Sequence, residues 1–180
     1  MGECRHNNAP VGLFFGLLVR EASLLDTVVA RLEKDFSPAV VRSAVLPFDQ
    51  SAYYEPEMGP GLLRQWVAVR DPIRIVELPD FKKYTNKLEK YWADDAGLRR
   101  VNADPGYLTD AKVVLATTKD QIHRLYMGSG IYEEVTLHYK RGSGYEPWPW
   151  TYPDYRTEAA LEFFMKVRTL LRANDTEQVI

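Results

Sequence analysis

The sequence predicts one α+β domain built on a mostly antiparallel or mixed sheet, and three observations lead there. Strand-like and helix-like segments alternate in the order β-α-β-β-α-β, the start of a ferredoxin-like unit. Gly128-Ser129-Gly130 then separates two further strand-like runs, which adds a C-terminal hairpin. A third helical segment follows at Glu158–Leu171, with Leu161, Phe164, Val167 and Leu171 as its apolar stripe. Of the 180 residues 46% are hydrophobic, enough to bury a full core and to exclude a disordered chain. Residues 1–10 read as a polar tail and residues 11–180 as the domain.

Val11–Val19 is a continuous apolar run, the pattern of a strand buried on both faces. It is too short to span a membrane, and Arg20 and Glu21 follow it where a signal peptide would carry small residues. Glu21–Phe36 places Leu24, Leu25, Val28, Val29, Leu32 and Phe36 at helical spacing, with Ser23 as N-cap and Pro38 as stop. Val40–Leu46 and Leu62–Arg70 read as strands on either side of the turn-rich PFDQSAYYEPEMGPG. The next helix opens at Asp80 or Thr85, runs through Trp92 and is closed by Gly97. Arg99–Asp104 is the fourth strand, and Asp104-Pro105-Gly106 reads as a turn. Ala111–Thr118 fits a strand by its Val and Thr content, or a short helix capped by Thr109; the strand is favoured. His123–Met127 and Ile131–Tyr139 flank the glycine turn, and Gly142–Pro153 is a stiff loop rich in Trp, Pro and Gly.

Charge and cysteine content exclude several classes. Lys and Arg number 23 against 25 acidic residues, a net charge of −2, so nucleic acid held by bulk electrostatics is not expected. The lone Cys4 allows neither an intrachain disulfide nor a cysteine-rich zinc site, which fits a cytoplasmic protein. No His pair has ligand-like spacing, so no metal site is expected. No membrane partner is expected either, and neither a cofactor nor an oligomeric state is legible.

The stretch Arg99–Asp154 holds two of the three His residues and most of the candidate chemistry. Lys112, Thr118, Lys119 and Arg124 could converge near a turn at Lys119–Gln121, where hydroxyls, an ammonium and a guanidinium would hold a phosphate or carboxylate. The competing reading is a solvated sheet edge guarded by charge. If His123 and Arg124 share one strand they point to opposite faces, so only one of them joins a one-sided pocket. His123 and Glu134 are the acid–base candidates. Arg100, Asn102 and Asp104 share a face by period two, which makes Asp104 either a ligand-binding group or part of an internal salt bridge. Tyr107, Tyr132, Trp150 and Tyr152 complete the ligand-binding set. The rings of the Gly144–Tyr155 loop could stack a planar ligand, but a self-packed lid is the favoured reading.

Five segments carry a family resemblance: LFFGLLVR, YYEPEMG, DFKKYTNKLE, the long run VNADPGYLTDAKVVLATTKDQIHRLYMGSGIYEEVTLHY, and PWTYPDY. In this order, across nearly the whole chain, they resemble the family catalogued as domain of unknown function 4416. Its members are sometimes labelled GTP-binding, which would imply a nucleotide ligand. The chain contains no G-x-x-x-x-G-K-[ST] phosphate cradle. Asn86-Lys87-Leu88-Glu89 puts Glu where a guanine-reading motif needs Asp, and Thr118-Lys119-Asp120-Gln121 carries its Asp one place early. Hydrolysis of GTP by a P-loop is therefore not expected.

The residues and the resemblance together point to a small-molecule site for an anionic or phosphate-bearing ligand on the polar face of the sheet, with catalysis through His123 or Glu134. The alternative is a non-enzymatic protein- or RNA-binding assembly module that uses exposed aromatics. A deep pocket around Lys112, His123, Arg124 and Glu134 favours the first, and a flat aromatic surface the second.

Overall fold

Strand β1 (Gly12–Val19) is buried along its whole length and forms the spine of the sheet. The computed structural model describes residues 10–177; most of the expected polar tail, with Cys4 and His6, lies outside the described residues, as do residues 178–180. After β1 come α1 (Ala22–Asp35), β2 (Ala39–Arg42), β3 (Leu46–Pro47), the single turn α2 (Glu55–Met58) and β4 (Leu63–Val69). Then follow α3 (Leu78–Tyr91), β5 (Val101–Leu108), β6 (Lys112–Thr117), β7 (Leu125–Gly128), β8 (Ile131–Lys140), β9 (Gly144–Pro147) and α4 (Glu158–Glu177).

Among the described residues nine strands form one sheet of order β2-β4-β1-β5-β6-β8-β7, with β3 on β4 and β9 on β8. Every pairing is antiparallel. The first four long strands stand as β5-β1-β4-β2: β4 inserts between β1 and β2, and β1 between β4 and β5. Each β-α-β crossover is thus split by one strand, the ferredoxin-like arrangement that the element order predicts. The fold is α+β, as expected. Ala111–Thr118 resolves as the strand β6. The expected strand Val40–Leu46 is interrupted and becomes the two short strands β2 and β3. Ser23 does not cap α1; the helix begins earlier, with Glu21 at the N-cap and its carbonyl accepting from Leu24 N–H.

Both faces of the sheet are covered. Leu13, Phe15 and Leu17 of β1 pack with Leu25, Val28 and Leu32 of α1 and with Leu78 and Leu88 of α3. On the opposite face Phe14, Trp66, Leu108 and Val113 pack against Ala160, Phe163, Phe164 and Val167 of α4. This explains the unbroken apolar run of β1, since period-two alternation puts apolar groups on two buried faces. A small third cluster of Leu18, Phe48, Met58 and Leu62 pins the segment 48–62 to the end of the sheet. Among the described residues no helix is long and apolar enough to cross a membrane.

Two details position the site. Asp104-Pro105-Gly106 is not a turn: it continues β5, with Asp104 opposite Gly16 and Pro105 opposite Phe15. The ladder from β5 to β6 covers only Gly106, Tyr107 and Leu108. Pro105 brings no N–H to extend it, and beyond this point the two strands part. Gly106 itself has no room for a side chain, since a Cβ would lie 2.4 Å from the Phe14 ring and 2.5 Å from the Val114 carbonyl oxygen.

Glu133, opposite Ala116 of β6, is buried with Oε1 lacking a hydrogen-bond partner among the described residues. Burial pushes its carboxyl up to about 7, with the Lys112 charge only partly opposing. A raised carboxyl means that the folded state binds the extra proton, so the stability it contributes is complete below the ordinary value of 4.5 and lost as pH rises through about 7. Glu133→Gln should therefore unfold at a higher temperature than the parent above neutral pH and show a flatter dependence of the midpoint on pH between those values. Thermal unfolding of both proteins across that range measures it; parallel curves would contradict the assignment.

Candidate functional site

The site is built over Gly16. On the face of the sheet that carries Phe14, Gly16 lies between Trp66 of β4 and Asp104 of β5, with Arg64 one diagonal step away. A Cβ at Gly16 would stand 2.4 Å from the Tyr155 hydroxyl oxygen and 3.2 Å from Arg64 Nη1. The bare Cα is what lets both groups descend onto the sheet.

Arg64 is 5% exposed. Its Nη2 lies 2.5 Å from Asp154 Oδ2, in the short 3₁₀ turn Pro153–Arg156 that leads into α4. The guanidinium carbon sits 5.3 Å from the Phe48 ring centre, 5.4 Å from Trp66 and 5.7 Å from Tyr155. Burial alone would make this group easier to deprotonate, but the Asp154 carboxylate outweighs it and holds the charge. Nε and Nη1 find no hydrogen-bond partner among the described residues. Buried donors of this kind are paired in most proteins. Burial pushes the Tyr155 hydroxyl far up, so it stays a neutral O–H.

Arg64, Asp154 and Tyr155 line one end of a cavity of about 420 Å³. Phe48, Tyr53 and Tyr54 wall it from the segment 48–54, Lys119, His123 and Arg124 from the connection between β6 and β7, and Trp150 and Tyr152 from the segment after β9. A second hollow of about 210 Å³ opens in the fork between β5 and β6 and shares Tyr53, Tyr54, Asp104, Leu115, Lys119 and Tyr152 with the first. The two are lobes of one cleft.

In the fork, α3 sends Lys82 to Asp104, with Nζ 2.7 Å from Oδ1, while Asn102 Nδ2 donates to Oδ2 at 2.7 Å. Burial would raise the Asp104 carboxyl, but the Lys82 ammonium and these hydrogen bonds hold it below the usual carboxylate range. Lys82, although buried, is raised by Asp104 and Glu89 and remains an ammonium, unsuited to act as a nucleophile. Glu89 accepts from the Ala103 N–H at 2.9 Å and from Arg99 Nη1 at 3.2 Å; Arg99 also reaches Glu57 at 2.5 Å.

His123 Nε2 lies 3.2 Å from Glu134 Oε2. The same oxygen accepts from Arg124 Nε at 2.7 Å, and Oε1 accepts from Thr136 Oγ1 at 3.3 Å. Glu134, with both oxygens engaged, thus holds His123 and Arg124 in place. The His123 ring stacks on Trp150 at 5.4 Å, Trp150 on Trp148 at 5.3 Å, and Trp148 meets His138 at 4.2 Å. Arg124 also donates to the Lys119 carbonyl at 2.9 Å and to the Tyr152 hydroxyl at 2.6 Å.

Of the residues predicted from sequence, Asp104, Thr118, Lys119, His123, Arg124, Glu134, Trp150 and Tyr152 all line the cleft. His123 and Arg124 line it together, because the segment between β6 and β7 is a turn and strand alternation does not apply. Nor do β6 and β7 form a hairpin with each other: β8 lies between them. Three residues are placed elsewhere. Tyr107 is in the core under α1 and α3. Lys112 pairs with His138 at the far end of β6 and alternates with Val113 and Leu115, so it belongs to the face away from the cleft. Tyr132 packs on Tyr126 at 5.2 Å. Arg124, expected as a free cation, is instead fastened to Glu134, with side-chain exposures of 4% and 1%. The lid reading fits the inner rings, since Tyr145 and Tyr155 are buried, whereas Trp150 is 39% exposed.

Sequence reasoning missed Arg64 and Lys82 as cleft groups. Arg64 left one signal, a cation at an inward position of a strand whose neighbours on that face, Trp66 and Ala68, are apolar. Lys82 sat at ordinary spacing on a helix and gave none. Among the described residues no cluster of three or more His, Cys, Asp or Glu is arranged to hold a metal ion.

A family model described as Domain of unknown function (DUF4416) matches residues 9–170. No curated protein and no solved structure matches the chain.

Filling the hollow over Gly16 should disturb Tyr155 and Arg64 together. Gly16→Ala is expected to destabilise the protein by about 1–3 kcal/mol, the usual range for overpacking a filled site. Denaturant titration measures it, and a midpoint equal to the parent's would mean that the hollow is not set by this residue.

Proposed function

We propose that this chain, which belongs to the DUF4416 family, binds a small anionic, phosphate-bearing ligand in the cleft, a nucleotide being one candidate. The observation that carries the reading is Arg64: a charged guanidinium, only 5% exposed, that lines the cavity and whose Nε and Nη1 are buried without a hydrogen-bond partner among the described residues. Lys119 supports it from the rim. Its ammonium forms no ion pair among the described residues and lies 3.9 Å from the Tyr53 ring centre, free to turn to an incoming anion. Trp150 and His123 offer parallel rings to a planar group.

His123, oriented by Glu134, would serve as general acid or base toward a ligand seated there. The balanced overall charge argues against nucleic acid as the partner, and the lone cysteine is in keeping with a cytoplasmic place. A second reading, an assembly module, has its own support in Ile122, Leu125 and Tyr126, all strongly exposed at or beside the edge strand β7. The cleft reading ranks first because buried guanidinium nitrogens without a hydrogen-bond partner are rarer than an exposed apolar edge.

Thermal shift with nucleoside monophosphates, sugar phosphates and inorganic phosphate tests the proposal. A bound compound at about 100 times its dissociation constant should stabilise the parent by roughly 2.7 kcal/mol. Lys119→Ala should melt like the parent when no ligand is added and lose most of the shift. Arg124→Ala should lose stability on its own, by about 3–5 kcal/mol, because it strands the Glu134 charge. No shift from any phosphate compound would remove the proposal.

A further inference from the structure

The fork lobe shows what the rest of the ligand should be. The charged groups lining it away from the wider lobe are already paired: Lys82 with Asp104 at 2.7 Å, Arg99 with Glu57 at 2.5 Å and with Glu89 at 3.2 Å, and Glu134 with Arg124 at 2.7 Å. An incoming ion would have to break one of these pairs, and stranding a buried charge is costly. The capacity left over is neutral and two-sided. The Asn86 amide and the Thr118 hydroxyl line the fork and have no hydrogen-bond partner among the described residues. Each Asp104 oxygen has accepted one hydrogen bond, Oδ1 from Lys82 and Oδ2 from Asn102, and a carboxylate oxygen has room for a second.

Hydroxyl groups suit such a surface because each both donates and accepts. Neighbouring hydroxyls can donate to the free lone pairs of Asp104 and accept from Asn86 and Thr118. Asp104 and Lys119 line both lobes, so a ligand passing from one to the other crosses an acceptor and an unpaired cation at the boundary. The fork, at about 210 Å³, is a sugar-sized space, and Arg64 and Lys119 line the wider lobe.

We infer that the ligand is a phosphorylated polyol, its hydroxyl-bearing carbons held in the fork by Asp104, Asn86 and Thr118 and its phosphate in the wider lobe facing Arg64 and Lys119. This rests on the anion-binding reading above and narrows its ligand class. A bare or purely aromatic phosphate would fill the wider lobe and leave the fork unused.

Calorimetric titration of the full chain with four probes tests it: inorganic phosphate, phenyl phosphate, ribose 5-phosphate and glucose 6-phosphate. At least one sugar phosphate should bind about tenfold or more tightly than inorganic phosphate and phenyl phosphate, as one or two added hydrogen bonds allow. Asn86→Ala and Thr118→Val, half-buried and exposed positions that the fold tolerates, should remove that advantage and leave the affinity for inorganic phosphate unchanged. Asp104→Asn should remove the sugar advantage too, although the loss of its charge beside Lys82 also changes the affinity for inorganic phosphate; if it fails to fold, the other two variants decide. Equal affinity for all four probes, or a preference for phenyl phosphate, overturns the polyol while leaving the anion site standing. Variants that weaken inorganic phosphate and sugar phosphate equally overturn it too. Binding of none of the four overturns the polyol, and the nucleotides of the thermal-shift series then decide the anion reading.

Discussion

Arg64 and Asp154 form a buried ion pair that joins the middle of the sheet to the turn ahead of α4. Both side chains are almost wholly removed from water, so each charge depends on the other; removing one member of such a pair costs about 3–5 kcal/mol. The pair sets where α4 begins, which in turn places Phe163 and Phe164 on Trp66 and Phe14. It also brings Tyr155 over Gly16 and thereby defines the floor and one wall of the cleft. Asp154 engages Nη2, and Nε and Nη1 stay buried without a hydrogen-bond partner among the described residues.

The second organising feature is the fork. A continuous ladder between β5 and β6 would have sealed the sheet beyond Gly106, but the pairing stops there and the polar face of α3 reaches the gap. Lys82, Glu89, Arg99, Asn102 and Asp104 form a network in which each charge meets an opposite charge or a hydrogen-bond donor. Buried polar groups are tolerated on those terms, and such a network rigidifies the walls it forms. The result is a cleft with two chemistries: one lobe with a buried, ion-paired guanidinium among aromatic rings, the other with its charges neutralised and its hydrogen-bonding capacity partly free.

The opposite wall depends on a different device. Glu134 gathers His123, Arg124 and Thr136, and the stack from His123 through Trp150 and Trp148 to His138 holds the imidazole plane. This explains how a connection with no regular structure can present side chains in fixed places: its groups are anchored by a buried carboxylate on one side and by rings on the other.

The sequence by itself determined the elements and their order. Periodicity marked β1, α1, α3 and α4, the glycines marked the β7–β8 turn, and the split β-α-β-β-α-β unit followed from the order of the segments, because amphipathic patterns are local properties of the chain. It also singled out Asp104, Lys119, His123, Arg124 and Glu134, whose polar character on strand-like segments is visible residue by residue. Tertiary structure alone decided which of these meet. Lys112 is as polar as Lys119, but strand alternation turns it to the other face. Asp104-Pro105-Gly106 has the composition of a turn, yet β1 pairs with it along its length and makes it a strand. Arg64 and Lys82 reach the cleft from β4 and α3, about 40 and 22 residues from Asp104 in sequence, distances over which no local pattern carries information. Burial, pairing and charge compensation are properties of the assembled faces, and they exist only once the sheet has closed on its helices.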